Sequence, residues 1–311
     1  MKMLVFLERC AVRGGIEIFA ERHVVRLRAE GHEVDVAYTL PVDFSAYDEV
    51  IVHKCTDVSV LGMFPPEKTV YYVHDHEPIC PRTYAYTPLK RNCTRASGLW
   101  PCLLCAPVCR SWRAAFGRVL VQGRRKRTMA RFRRIVVISE FMKGRLVANG
   151  IPAAKIVAYP PTIQCPAPTT NSQLLVNIDL LFVGQLIRGK GVQLLLEAMA
   201  RMKTERTLDV VGTGNMEAAL KAQAERLGLG ARVRWHGFQE NPHEWMLAAK
   251  CVVVPSFWQE PYGLVAAEAV ALEKNVVAFA IGGLPEACQG KATLVPPGDI
   301  DALAAALDGR I

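Results

Sequence analysis

The sequence contains no stretch of about 20 apolar residues such as a membrane-spanning helix requires. Its longest uncharged run, Ile156 to Ile178, holds 23 residues but includes four prolines and the polar run Thr169 to Gln173. The first apolar run, Met3 to Leu7, is closed by Glu8 and Arg9, so the basic-then-apolar layout of a cleavable leader is missing. Both absences lead to the expectation of a cytoplasmic protein. Disorder needs low hydrophobicity with high net charge, whereas these 311 residues are 51% hydrophobic and 22% charged. The chain is therefore globular and long enough for about two domains. Several catalytic signatures are also missing. Gly212-Thr-Gly-Asn-Met-Glu217 lacks the third glycine of the dinucleotide fingerprint, which argues against a nicotinamide dehydrogenase. Gly184 to Lys190 has the spacing of a P-loop, but Gly191 stands where a hydroxyl must hold magnesium. There is no zinc-protease helix and no G-x-S-x-G elbow.

Between Arg110 and Arg134 there is no acid at all. Ten basic residues fall there (Arg110, Arg113, Arg118, Arg124, Arg125, Lys126, Arg127, Arg131, Arg133, Arg134), more than the whole chain's net charge of +9. A run of this kind can be a solvated helix face, a nucleic-acid contact or an anchor on anionic lipid. Its neighbours Leu99, Trp100, Leu103, Leu104, Trp112 and Phe116 favour lipid, because interfacial segments pair aromatic with basic residues. An anionic membrane surface is the expected partner, nucleic acid is not, and the expected location is cytoplasmic and peripheral on the membrane. Five of the ten cysteines cluster as Cys80, Cys93, Cys102, Cys105 and Cys109. The x₂ spacing of Cys102 and Cys105 lets two thiolates reach one tetrahedral zinc, which with Cys80 and Cys93 would make a structural site. The gap from Cys80 to Cys93 is not a knuckle spacing, and buried thiols are the alternative.

Apolar runs alternate with amphipathic segments twice over, the pattern of parallel sheets with crossover helices, so the class is α/β. Strands are predicted at Met3–Leu7, Val34–Tyr38, Glu49–His53, Thr69–His74 and Ile135–Ile138, with a helix from about Ile16 to Glu30. The Pro-rich stretch Tyr159–Pro168 reads as an interdomain linker. Domains are expected at 1–165, containing the basic and Cys-rich segment 80–134, and at 166–311. The pattern restarts with strands at Leu180–Val183, Thr207–Val211, Val233–His236, Cys251–Pro255 and Asn275–Phe279. Helices are expected around 191–202, 216–227, 242–249, 263–272 and 299–307. Two doubly wound, Rossmann-like domains facing across a cleft would place a ligand at the carboxyl ends of the strands.

The segment Pro255-Ser-Phe-Trp-Gln-Glu-Pro-Tyr-Gly-Leu-Val-Ala-Ala-Glu268 reads as a strand end, a loop and a helix start carrying two carboxylates eight apart. If the helix begins near Pro261, the first-turn N–H groups around Tyr262, Gly263 and Leu264 make an anion site, with Gly263 admitting a phosphate close to the backbone. Eight residues of helix rise about 12 Å, beyond the separation of a glycosidase's paired carboxylates, so Glu260 and Glu268 would touch different parts of one long ligand.

This segment resembles the E-x₇-E signature of retaining glycosyltransferases, specifically glycosyltransferase family 4 with its two-Rossmann-domain GT-B fold. Phe182-Val-Gly-Gln-Leu-Ile-Arg-Gly-Lys-Gly191, Leu208–Gly214, Val233-Arg-Trp-His-Gly-Phe238, Gly282–Glu286 and Leu294–Asp299 resemble further family elements in the family's order. In the first half, Arg13-Gly-Gly-Ile-Glu17 resembles its glycine-rich first loop, His74 its strand-end histidine, and Val137–Glu140 the segment before its hinge. The resemblance covers nearly the whole chain, specifically in the second half and loosely in the first.

What the resemblance implies is a retaining hexosyltransferase that moves a sugar from a nucleotide diphosphate-sugar to a saccharide or lipid-linked acceptor in cell-envelope or exopolysaccharide assembly. The first domain would take the acceptor and the second the donor. Glu268 would hold the ribose hydroxyls, Glu260 the hydroxyls of the donor sugar, and His74 would sit near the reacting sugar. Lys190 and Arg188 would meet the diphosphate, with Gly14, Gly15 and Gly184 giving close backbone approach and Phe238, Tyr262, Gly263 and Leu264 completing the donor site. Departing diphosphate gathers negative charge, which such cations and N–H groups stabilise. Gln185 stands where the family usually has Arg, and Leu272-Glu-Lys-Asn275 where a Gly and a Pro are common. The one Asp-x-Asp triplet, Asp299-Ile-Asp301, opens the last helix, where capping is the expected role, so no divalent metal is expected to be required. The alternatives are a nucleotide-sugar epimerase on the same fold and a non-catalytic membrane- or nucleic-acid-binding module.

Overall fold

The computed structural model describes residues 1–8, 15–40, 42–80, 112–163 and 178–309, with residues 85, 92–94, 96, 102, 105 and 165 between them. Gly14, Cys109 and the apolar residues Leu99, Trp100, Leu103 and Leu104 lie outside the described residues. The chain divides into two compact units, Met1–Pro161 and Thr162–Ile311. The division falls four residues before the expected boundary, inside the same Pro-rich stretch.

The first unit is built on β1 (Lys2–Leu7), α1 (Gly15–Ala29), β2 (Glu33–Ala37), β3 (Glu49–Lys54), α2 (Val58–Leu61), β4 (Thr69–Val73), α3 (Trp112–Arg131), β5 (Arg134–Val137), α4 (Glu140–Ala148) and β6 (Ile156–Ala158). Its strands form one parallel sheet in the order β2-β1-β3-β4-β5-β6. All five residues of β4, Thr-Val-Tyr-Tyr-Val, are buried, as expected for a strand in a parallel sheet covered on both faces. One core packs Leu4, Phe6, Phe64, Tyr71, Met129, Phe132 and Ile135, and the opposite face of the sheet packs Val5, Val24, Leu27, Ile51 and Tyr72.

Helix α3 carries most of the basic run and resolves it by period. Val119, Gln122, Arg125 and Met129 recur at helical spacing and are buried, while Arg113, Phe116, Leu120, Arg124, Arg127 and Arg131 line the opposite, exposed side. Arg125 thus departs from its neighbours: it is 5% exposed and salt-bridged to Glu77. No helix among the described residues is long and apolar enough to cross a membrane.

The second unit contains β7 (Ile178–Val183), α5 (Val192–Arg201), β8 (Leu208–Val211), α6 (Glu217–Arg226), β9 (Val233–Gly237), α7 (Pro242–Ala248), β10 (Ala249–Val254), α8 (Leu264–Ala271), β11 (Asn275–Phe279), α9 (Leu284–Cys288), β12 (Thr293–Val295) and α10 (Ile300–Gly309). Its parallel sheet runs β12-β11-β10-β7-β8-β9. The chain moves outward from β7 to β9, then returns to β10 and moves outward on the other side. Adjacent β7 and β10 are therefore the switch point, where open α/β sheets bind ligands beyond the strand ends. Each unit is a doubly wound, Rossmann-like domain with a six-stranded parallel sheet, the fold class anticipated from the sequence.

Candidate functional site

Two loops leave the switch point of the second unit, 184–191 after β7 and 255–263 after β10. They pack closely because one side presents glycine. A Cβ on Gly191, which has φ +79°, would overlap the Pro255 carbonyl. Phe257 N–H donates to Gly189 O at 3.1 Å, and a Cβ on Gly189 would press on the Trp258 indole. Across this seam Lys190 Nζ lies 2.6 Å from Glu260 Oε1, which also accepts from Ser256 Oγ at 2.7 Å. Glu260 is only 5% exposed. Burial alone would push its carboxyl up, but the Lys190 charge and hydrogen bonds from Lys190 and Ser256 hold it below the usual carboxylate value. Lys190 also lies 5.4 Å from the Trp258 ring centroid. An ammonium has three donors, so the ion pair leaves Lys190 with capacity for an anion.

The helix after Glu260 starts later than expected. Gly263 adopts φ 112° and ψ 61°, a left-handed conformation that keeps Pro261 and Tyr262 out of the first turn, and α8 begins at Leu264. Glu260 therefore belongs to the loop and Glu268 to the helix, and the 12 Å rise of a continuous helix does not apply. Tyr262 is buried, which pushes its hydroxyl up. The loop after β11 closes over this segment, with Gly283 N–H donating to Glu260 O at 2.8 Å.

Glu268 contrasts with Glu260. Its side chain is 15% exposed, and the nearest basic group is the buried His243, whose Nε2 stands 3.6 Å from Glu268 Oε1, beyond a hydrogen bond. Among the described residues its carboxylate receives no donor. A part-buried carboxylate in that state is set up to accept two hydroxyls from outside. Arg188 is exposed in the turn Arg188–Lys190. Gly184 sits at φ 153° and donates its N–H to Val211 O at 3.0 Å. Phe238 follows β9 and is 73% exposed, leaving an aromatic face open. The structure thus gathers Lys190 and Glu260 directly, places Gly184, Arg188, Tyr262, Gly263, Leu264 and Glu268 on the switch-point loops and helix, and sets Phe238 at the same sheet edge. Sequence reasoning did not single out Ser256, Trp258 or His243. Ser256 and Trp258 could have been found by their position in the loop of Glu260, whereas His243 carries no local signal.

In the first unit His74 directly follows β4, stacked on His53 with ring centroids 5.3 Å apart. The carboxyl edge there also holds Glu8, which accepts from Thr56 N–H at 2.5 Å, and Arg125, which donates to Glu77 Oε1 at 2.6 Å and to Thr56 O. Asp75 is pushed up to about 6 by burial, against the Glu77 N–H that it accepts. Gly15 is the first residue of α1, and Gly14 lies outside the described residues.

Among the described residues no group of three or more His, Cys, Asp or Glu side chains is placed to hold a metal ion. Cys80, Cys93, Cys102 and Cys105 are all described and are not gathered into the expected zinc site. Cys93 sits where its N–H donates to Ala85 O at 2.7 Å, a loop contact outside any x₂ knuckle. Asp299 caps α10 as expected, accepting from Ala302 N–H at 2.9 Å, and Asp301 pairs with Arg201.

Residues 176–309 match the family described as glycosyl transferases group 1. A D-inositol 3-phosphate glycosyltransferase of Mycobacterium avium is 38% identical over 138 residues, 42% of this chain and 32% of that protein. An uncharacterized glycosyltransferase of Methanocaldococcus jannaschii is 36% identical over 111 residues, 34% of this chain and 28% of that protein. The matches thus span about a third of these relatives' length. Among solved structures, Anabaena Alr3699/HepE in complex with UDP and glucose aligns with TM-score 0.69 at 19% identity, over 99% of this chain and 89% of that one. WaaG, a glycosyltransferase involved in lipopolysaccharide biosynthesis, aligns with TM-score 0.65 at 17% identity, over 98% and 89%. These likenesses show the fold.

Proposed function

We propose that the chain is a glycosyltransferase of the retaining, hexosyl-transferring type that binds a nucleotide diphosphate-sugar at the carboxyl edge of its second sheet. The observation that carries this reading is that one strand-loop-helix segment holds a carboxylate fixed by hydrogen bonds and another that receives none among the described residues. Glu260 is fixed by Lys190 and Ser256, while Glu268, eight residues on, offers its oxygens to a ligand diol. In this reading Glu268 takes the ribose hydroxyls and Phe238 offers its open face near the base. The diphosphate lies against Lys190, Arg188 and the free N–H groups that open α8, where a helix end favours negative charge. As the glycosidic bond breaks, charge grows on the leaving diphosphate, and these groups are already in place to meet it. Cations and N–H groups take the role that a bridging metal would otherwise have. Glu260 orients Lys190 and contacts the donor sugar.

The complexes of HepE with UDP and UDP-glucose favour a uridine donor. The acceptor we propose is a saccharide or a lipid-linked one, used in envelope or exopolysaccharide assembly. Its side of the reaction falls to the first unit, with His74 at the strand end. The exposed side of α3, with Phe116 45% and Leu120 47% exposed among four arginines, suits an anionic membrane surface.

The test is a thermal-shift panel with UDP, GDP, ADP and their sugar conjugates. A ligand at 100 times its Kd adds about 2.7 kcal/mol of stability. One nucleotide diphosphate class should stabilise the protein, and Glu268→Ala should abolish that shift. No shift with any of them in folded protein, or an unchanged shift in the variant, would overturn the reading.

A further inference from the structure

Three histidines from three separate elements form one hydrogen-bonded chain in the first unit. His23 lies on α1, His53 on β3 and His74 just past β4. His23 Nδ1 is 2.9 Å from His53 Nε2, and His53 Nδ1 is 3.0 Å from His74 Nε2. Phe19 packs edge-on against His53 and His74, with centroids 5.6 and 5.0 Å away. The far end of the chain is Tyr72, whose hydroxyl lies 3.4 Å from His23 Nε2.

Two protonation patterns satisfy the two imidazole links, and they run in opposite directions. In one, every ring carries its proton on Nδ1 and passes it toward His74. In the other, every ring carries it on Nε2 and passes it toward Tyr72. The choice decides what His74 offers at its remaining nitrogen: an Nδ1–H donor in the first, a bare acceptor in the second.

Tyr72 decides between them. It is buried, and burial pushes its hydroxyl up to about 12, so it keeps its proton. A buried phenol proton needs an acceptor, and among the described residues His23 Nε2 is the one within reach. His23 must then present a lone pair at Nε2 and its proton at Nδ1. That proton satisfies His53 Nε2, which forces the His53 proton to Nδ1, and the same step forces it at His74. All three rings are kept neutral, His23 at about 4 and His74 at about 3 by burial first and then by neighbouring charge, and His53 well below its usual value for the same reasons. The Glu17 carboxylate on α1 partly opposes that depression at His74 without reversing it.

We infer that Tyr72, His23 and His53 are positioning residues that hold His74 as a neutral Nδ1–H donor at the carboxyl edge of the first sheet. A proton-bearing nitrogen at that strand end can donate a hydrogen bond to an oxygen of a hydroxylated ligand and cannot take a proton from it. The use of that donor on an acceptor sugar rests on the function proposed above, but the tautomer does not.

The test is long-range ¹H–¹⁵N correlation on the full chain labelled with ¹⁵N-histidine, near neutral pH and without ligand. His23, His53 and His74 should each show a pyrrole-type Nδ1 and a pyridine-type Nε2, assigned by single His→Gln variants. A pyrrole-type Nε2 at any of the three overturns the inference. Tyr72→Phe retains the packed ring and removes only the donor. Because each link needs one donor and one acceptor, it should move all three rings together toward the Nε2–H pattern, and an unchanged spectrum would remove Tyr72 from its deciding role. If that variant fails to fold, the wild-type spectrum alone settles the direction. None of these signals depends on nucleotide binding, so loss of the donor reading would leave the result standing.

Discussion

Lys190 and Glu260 are 70 positions apart in the chain, yet their charged atoms meet at 2.6 Å across the switch point of the second sheet. The pair fastens the loop after β7 to the loop after β10. Removing one partner from a largely buried pair leaves a charge without compensation, which costs about 3 to 5 kcal/mol. Lys190→Ala should therefore lower the unfolding free energy of the second unit by about 3 kcal/mol and remove nucleotide affinity together with it. Glu260→Gln, which keeps a hydrogen-bond acceptor, should cost less stability while still abolishing transfer. Urea titrations of both variants beside a nucleotide-binding assay check this, and equal, small losses from both would show the pair to be incidental.

The same seam makes a prediction about glycine. Gly191 and Gly228 both sit at left-handed φ, +79° and +70°, but only at Gly191 would a Cβ meet backbone, the Pro255 carbonyl. Gly228→Ala should cost about 1 kcal/mol, the left-handed penalty alone. Gly191→Ala should cost clearly more and should also weaken nucleotide binding, because the loop carrying Lys190 must shift. Similar midpoints for the two variants would mean that the seam is looser than its geometry indicates.

Glu273 is the converse case. The turn after α8 holds a non-glycine residue at φ +58°, at the place where the resemblance to family 4 leads one to expect glycine. Glu273→Gly should relieve about 1 kcal/mol of that strain, less a part lost to the freer unfolded chain. A small rise in Tm, with nucleotide affinity unchanged, is the expected result.

The histidine chain makes stability depend on pH. The folded values of His23 and His74 are depressed to about 4 and about 3, and that of His53 lies well below its usual 6.5. In the unfolded chain all three protonate below about 6.5, so the folded form loses stability as pH falls from there toward 4. Around the chain, Arg26 and Lys54 add to the depression and Glu17 opposes it. Asp75 works the other way, since its folded value of about 6 lies above the unfolded 3.8 and it gains stability over that window. Three groups outweigh one. Between about pH 7.5 and about pH 5 the net loss should reach a few kcal/mol, at up to about 2 per histidine. Urea midpoints across that range measure it, and a flat profile would refute the buried, neutral chain.

The course of the chain was readable wherever a residue's role follows from its neighbours. Alternating apolar runs located β1, β3, β4 and β11 to within a residue or two, and Glu260 and Glu268 stand in one local segment read as a strand end, a loop and a helix start. Three features escaped because their causes are not local. His23 and His53 carry no local signal, and only the packing of α1 on the sheet and the pairing of β3 with β4 bring them to His74. The start of α8 moved to Leu264 because Gly263 takes a left-handed turn over Leu284, a contact made by another helix. Arg125 sits inside a basic run indistinguishable from it in composition, and the helical period alone turns it inward to Glu77.

That inward turn sets the terms for testing the membrane surface. Replacing Arg124 through Arg127 as a block would remove the buried Arg125 with its Glu77 salt bridge, and Lys126, which donates to Asn149 O at 2.9 Å, so loss of binding would be confounded with damage to the fold. The exposed arginines on the side of α3 that carries Phe116 and Leu120 are Arg113, Arg124, Arg127 and Arg131. Each cation near an anionic surface contributes about 1 kcal/mol, so replacing all four with Gln should weaken binding to phosphatidylserine vesicles by up to about 4 kcal/mol, roughly three orders of magnitude. Phe116→Ser with Leu120→Ser should weaken it through lost apolar insertion, and that loss should persist at high salt, where the arginine contribution is screened. Unchanged sedimentation of the four-arginine variant, with its far-UV spectrum and urea midpoint intact, would show that the basic face is only a solvated one.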